Sequence, residues 1–222
     1  MDDSEFDRAF IGAAFARVGR DGWRHLSLAG AAQDAGLPLA RVRLRFPSSA
    51  VLLLRFGRYA DAAALTGVVA DAGSVRDQLF DMLMRRIDVL QAHRAGILAL
   101  LRAVPFEPGL AALLGTASVN SMRWLLEAAG VSVRGPLGLL RAKGLLAVWL
   151  WTVRAWKRDE SEDLSATMAA LDAALARAER AAGWLPHARD AAANPASPDA
   201  PSAKGSPPEG VASDEPPPES PG

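Results

Sequence analysis

From Phe6 to Leu175 the apolar residues recur at intervals of three and four, the spacing that lays a stripe along one face of an α-helix. Phe6, Phe10, Ile11, Ala14, Phe15 and Val18 form the first stripe, with Gly19 as its expected stop. Ser74 and Asp77 make a capping box ahead of Val75, Leu79, Phe80, Leu83, Ile87 and Leu90. Pro105 and Pro108 interrupt the pattern, Leu110 to Ala129 resumes it, and Gly130 closes it. Pro136 opens a helix running to about Arg158. Ser161 is expected to cap the last long helix, with Leu164, Met168, Leu171 and Leu175 on one face. Alternation of period two is missing and β-branched residues are few, so the expected fold class is all-α, with about nine helices.

Composition narrows the chemistry. The chain has no cysteine, which excludes disulfides, thiol catalysis and cysteine-ligated zinc. His25, His93 and His187 lie too far apart for a local metal motif, so no metal and no cofactor is expected. No Ser-His-Asp arrangement, paired carboxylates or phosphate loop stands out, and an enzyme is not expected. The longest apolar run, Gly144 to Val153, is half of what a membrane span needs, so no stable membrane insertion is expected. The acidic start, Met1-Asp2-Asp3-Ser4-Glu5, is unlike a leader, so the expected location is cytoplasmic.

The formal net charge is zero, yet charge is segregated. Residues 190–222 hold nine prolines, six acids and one lysine, with Val211 the only aliphatic side chain larger than alanine. Such a segment buries too little apolar surface to offset its ordering entropy, so residues 188–222 are expected to be a disordered tail. Residues 1–60 have the opposite bias, nine arginines against six acids, and five of those arginines fall between Arg41 and Arg58 with no acid among them. That run fits an electrostatic footprint on phosphate, and it equally fits a solvated helix face.

Leu26 to Phe46 departs from the long-helix rhythm. Ser27 can cap a short helix through Leu28, Ala31, Ala32 and Ala35; Gly36 ends it, and Pro38 allows an immediate restart over Leu39 to Arg45. Pro47 stops the second short helix, and Ser48 or Ser49 caps a third running to about Leu65. Two short helices about a tight turn are the sequence form of a helix-turn-helix, whose second helix enters the major groove. Arg41 and Arg45, four apart, share a face of that helix, Arg43 lies away from it, and Leu39 and Ala40 stand where base edges would be met.

The stretch Ser27-Leu28-Ala29-Gly30-Ala31-Ala32-Gln33-Asp34-Ala35-Gly36-Leu37-Pro38, followed by Val42, Phe46-Pro47-Ser48 and Leu52, resembles the N-terminal signature of TetR-type transcriptional regulators. In its architecture the resemblance extends to about residue 185. It implies a helix-turn-helix domain over residues 1–60, a helical ligand and dimerisation domain over 61–187, and a homodimeric repressor released from double-stranded DNA by a small apolar ligand. Carried onto this chain, it makes Ser27, Leu39, Ala40, Arg41, Arg43, Arg45, Ser48 and Ser49 the expected DNA contacts. The family's reading-helix tyrosines are replaced here by Arg43 and Arg45, and the lysine that commonly opens its fourth helix by Ser49. Asp21-Gly22-Trp23, Ala35-Gly36-Leu37 and Arg45-Phe46-Pro47 are also similar to TetR-fold auxiliary proteins of ubiquinone biosynthesis, which implies the alternative of lipid binding without DNA binding.

In the C-terminal body, Met122, Trp124 and Trp149 are the adaptable and aromatic side chains that suit an irregular apolar ligand, and His93 could sense its polarity. The same residue types also fill ordinary cores.

Overall fold

The computed structural model describes residues 1–68 and 73–183. Trp184, the boundary near residue 187 and the acidic segment 188–222 lie outside the described residues. Among the described residues there are nine α-helices and no strand: α1 (Asp3–Asp21), α2 (Leu28–Asp34), α3 (Leu39–Arg45), α4 (Ser49–Leu65), α5 (Val75–Ala92), α6 (Arg94–Ala103), α7 (Pro108–Ala128), α8 (Gly135–Trp156) and α9 (Ser165–Gly183). One-turn 3-10 helices stand before α2 (Trp23–His25) and before α7 (Val104–Phe106). No single helix among the described residues is long and apolar enough to cross a membrane, and no cluster of potential metal ligands occurs among them.

Helices α1, α2 and α3 pack on one another, α4 leaves them to join α5 and α7, and α8 packs on α7 and α9. One continuous apolar core runs from Phe6 and Phe10 in α1 through Leu52 and Phe56 in α4 to Met122 and Leu125 in α7 and Trp156 in α8. Helix α6 ties the two ends together by lying across α1. The approach is close because glycine meets glycine. A Cβ on Gly96 would stand 2.3 Å from the Phe15 carbonyl oxygen, and one on Gly19 would stand 3.1 Å from the Ala95 Cβ. Gly19 therefore does not stop α1, as the sequence suggested; the helix runs two residues further, to Asp21, and Gly22 ends it with φ +83°.

Ser161 likewise does not cap α9. Asp159 takes that role, accepting from the Thr167 backbone N–H at 2.7 Å and the Thr167 hydroxyl at 2.6 Å, with the Ser161 N–H and hydroxyl on its other oxygen. The Ser161 and Thr167 hydroxyls hold the Asp159 carboxyl far below the ordinary carboxylate range. A depressed carboxyl pKa contributes stability that is present above the unfolded value, about 3.9, and is lost as pH falls further. Asp159→Asn is thus expected to lower stability at neutral pH and to flatten its decline below about pH 4, as measured by urea unfolding across a pH series.

Candidate nucleic-acid interface

The turn between α2 and α3 closes as a Schellman motif. Gly36, at φ +63°, donates its N–H to Gln33 O at 3.0 Å, and Leu37 donates to Ala32 O at 2.9 Å while packing against the core. Ser27 caps α2 by accepting from the Gly30 N–H at 3.1 Å, and Ser48 caps α4 by accepting from the Val51 N–H at 3.3 Å. Ser49 is the exposed first residue of α4. Inside α2, Gly30 gives room to Arg17, whose guanidinium carbon would stand 2.6 Å from a Cβ there and whose Nη1 donates to Asp34 at 2.6 Å.

Helix α3 has three distinct sides. Val42 faces the core, with Phe46 just beyond the helix packed against Phe10, ring centroids 4.5 Å apart and tilted by 43°. Arg41 and Arg45 lean onto α1. Arg41 reaches Asp3 at 2.7 Å and lies 4.2 Å over the Phe6 ring. Arg45 grips Asp7 with two bonds, at 2.7 and 2.8 Å, and reaches Asp3 at 2.7 Å; Arg55 of α4 adds a third bond to Asp7 at 3.0 Å. Arg41 and Arg45 hold the Asp3 carboxyl below its usual value, and the Asp7 carboxylate raises Arg45. Three of the five arginines in the acid-free run are thus engaged by two aspartates of α1, which leaves the group one positive charge in excess. The pattern has a sequence signal: Asp3 and Asp7 are four apart on one helix, as Arg41 and Arg45 are on another.

The third side of α3 faces outward and carries Leu39, Ala40, Arg43 and Leu44, with Leu44 84% exposed. Leu44 was missed by sequence reasoning; it lies one turn beyond Ala40 on the same face. Arg43 is the cation of this surface, its Nη1 donating to Pro47 O at 2.6 Å.

The residues expected to hold a ligand differ in their surroundings. His93, between α5 and α6, is half-buried against Phe15 and Phe56, with ring centroids at 5.6 and 5.7 Å, and burial lowers its pKa. Met122 is fully buried, Trp149 nearly so, and Trp124 stands exposed on α7. Under Trp149 lies a polar cluster that sequence reasoning also missed. Arg86 is buried 4.8 Å from the Trp149 ring, pairs with Asp61, and Asp61 accepts the Ser121 hydroxyl at 2.6 Å. Its position three residues after Leu83 and four before Leu90 places Arg86 on the apolar face of α5.

No family model matches the chain, and no curated protein matches it. Solved structures do. A TetR transcriptional regulator from Nitrosomonas europaea superposes with a TM-score of 0.61 at 20% identity, over 79% of this chain and 99% of that one. The fold is of the TetR type. A TetR transcriptional regulator from Rhodococcus sp. (TM-score 0.55, 16% identity, 79% of this chain and 97% of that one) has the same fold. So does a TetR-family regulator from Streptomyces coelicolor (TM-score 0.54, 19% identity, 82% and 85%). In the TetR-type fold, α2 and α3 are the helix-turn-helix and the later helices form the C-terminal domain, as the sequence predicted.

Proposed function

We propose that the protein is a homodimeric, TetR-like DNA-binding transcriptional regulator that acts as a repressor released by a small ligand. Residues 1–60 are the DNA-binding part and 61–187 the ligand and dimerisation part. The observation that carries the reading is the outward face of α3 in a TetR-type fold. Arg43 contacts a guanine or a phosphate, and Leu39, Ala40 and Leu44 supply apolar contacts of the kind thymine methyl groups accept. The capped starts of α2 and α4, at Ser27, Ser48 and Ser49, lie against the phosphate backbone. Arg41 and Arg45 belong to the interface through the position they give α3, clamped to α1.

This division separates two sets of variants. With one outward arginine on each reading helix, a dimer bound to its own upstream DNA is expected to show a shallow salt dependence, a slope of about −2 in log affinity against log salt. Arg43→Ala is expected to bring that slope near zero. Arg41→Ala with Arg45→Ala is expected to lower the melting temperature and leave the slope as it was. Gel shifts at several salt concentrations check both, and a folded protein with no affinity for its upstream DNA overturns the reading.

Dimerisation is assigned to α8 and α9. Leu137, Leu140, Gly144, Ala147 and Trp151 form an exposed stripe along α8, where Gly144 and Ala147 admit a second helix closely. Arg177 of α9 lies 5.8 Å from the Trp151 ring at the stripe's end. Two copies joined here make a four-helix contact about a two-fold axis, the symmetry a palindromic operator requires. Leu140→Glu, at a position exposed in the single chain, is expected to give a folded monomer by light scattering.

A further inference from the structure

We infer that the groove between the end of α6 and the end of α8 is a binding site for a single-chain anionic amphiphile, a carboxylate or phosphate head on an alkyl tail. The groove has a volume of about 410 Å³, within the roughly 300–1,000 Å³ usual for small-molecule sites. Its floor is apolar: Leu101 from α6, Val104 and Pro105 from the following turn, and Leu150 and Val153 from α8. Its rim is Arg154, Lys157 and Arg158, and no acidic residue lines it.

Cations at a helix C-terminus ordinarily answer the exposed carbonyls there. At this terminus three of the last four carbonyls of α8, those of Val153, Ala155 and Trp156, already have other partners. Arg94 donates to Trp156 O at 3.1 Å and Asp159 O at 2.8 Å, and the N–H groups of Lys157 and Arg158 take Val153 O and Ala155 O. The three rim side chains make no ion pair among the described residues, unlike Arg17, Arg41, Arg45 and Arg55. The Asp159 carboxylate, close in sequence, is turned toward Ser161 and Thr167. Three cations of one sign over an apolar floor fit a ligand with an anionic head and an apolar chain; a neutral or cationic amphiphile satisfies only the floor.

The site goes beyond the regulator reading and does not depend on it, but its effect on DNA rests on that reading. The groove's wall leads directly to the helix-turn-helix. Val104 and Pro105 belong to the one-turn helix ahead of Glu107, and Glu107 accepts from Arg24 Nε at 3.1 Å in the turn that precedes α2. A chain seated against Val104 and Pro105 therefore bears on an ion pair that joins the turn after α6 to the one-turn helix ahead of α2.

Calorimetry on the full-length protein tests the site without DNA, using decanoate below its aggregation concentration beside decanol and decyltrimethylammonium. Decanoate is expected to bind at least tenfold more tightly than either. Arg154→Glu with Lys157→Glu, both positions exposed in the single chain, is expected to weaken decanoate at least tenfold, and Arg154→Lys with Lys157→Arg to retain its binding. Val104→Trp, which fills the floor, is expected to weaken all three probes. Equal affinity for decanoate and decanol, no response to the charge reversal, or binding only to phosphatidylglycerol vesicles and not to free decanoate overturns the proposal. If decanoate binds as expected and DNA affinity is unaltered by it in both the parent and Glu107→Ala, the site stands and its link to the helix-turn-helix falls.

Discussion

Asp61→Ala is expected to destabilise the protein by about 3–5 kcal/mol, the cost of leaving a buried charge without its partner. Arg86 is 5% exposed, and burial already lowers its pKa against the opposing pull of Asp61. Its Nε has no hydrogen-bond partner, so the guanidinium depends on that one carboxylate and on the Trp149 ring. Removing the carboxylate also strands the Ser121 hydroxyl. Replacing both members, Asp61→Leu with Arg86→Met, removes the need for either charge and is expected to recover most of the loss. Denaturant unfolding of the three variants gives the comparison; a single variant as stable as the double shows that water reaches the pair.

Gly96→Val is expected to cost about 3 kcal/mol through overpacking, because the new side chain meets the backbone of α1 rather than a movable side chain. The nearest atoms are the Phe15 carbonyl oxygen and carbon, at 2.3 and 2.9 Å from a Cβ alone. The helix must lift from α1, and Phe15, whose ring packs against Phe56 with centroids 4.6 Å apart, loosens with it. The damage falls where the helix-turn-helix meets the rest of the chain, so protection from hydrogen exchange is expected to drop first in α1 and α6. Gly57→Val, at an open position on α4, is the control for glycine replacement itself.

The helices were legible because each carries its own periodic stripe and punctuation. Ser74 with Asp77, Gly36 with Pro38, and Pro136 near the start of α8 all act within a few residues of one another, and the structure keeps each of them near its expected place. Where another residue could take over the role a glycine or serine suggests, the simplest reading failed. Gly19 reads as a helix stop, yet its lack of a side chain serves α6, more than seventy residues away in sequence. Ser161 reads as a cap, yet Asp159 lies two residues before it and binds the α9 backbone better.

The candidate interface was legible to the level of the helix and not to its sides. Turning α3 so that Val42 is buried decides which arginines face α1, and that rotation depends on core packing, not on the charge pattern. Arg41 and Arg45 then meet carboxylates that lie far upstream. His93, Met122 and Trp149 were chosen for chemistry that suits a ligand, and burial against other helices uses the same chemistry. The polar cluster around Arg86 was overlooked because an arginine on an apolar stripe looks like an interruption until Asp61 and Ser121 are brought to it.

The arginines that secure α3 and the residues it turns outward are different side chains on different flanks. Leu39, Ala40, Arg43 and Leu44 bear no part of the attachment to α1, and exposed substitutions of that kind usually change stability by less than about 0.5 kcal/mol. The sequence of this short helix is therefore free to drift at four positions while its seat stays fixed. Under the proposed function a scaffold of that sort takes a new operator by rewriting those four letters, and libraries confined to them and free of proline are expected to yield mostly folded proteins.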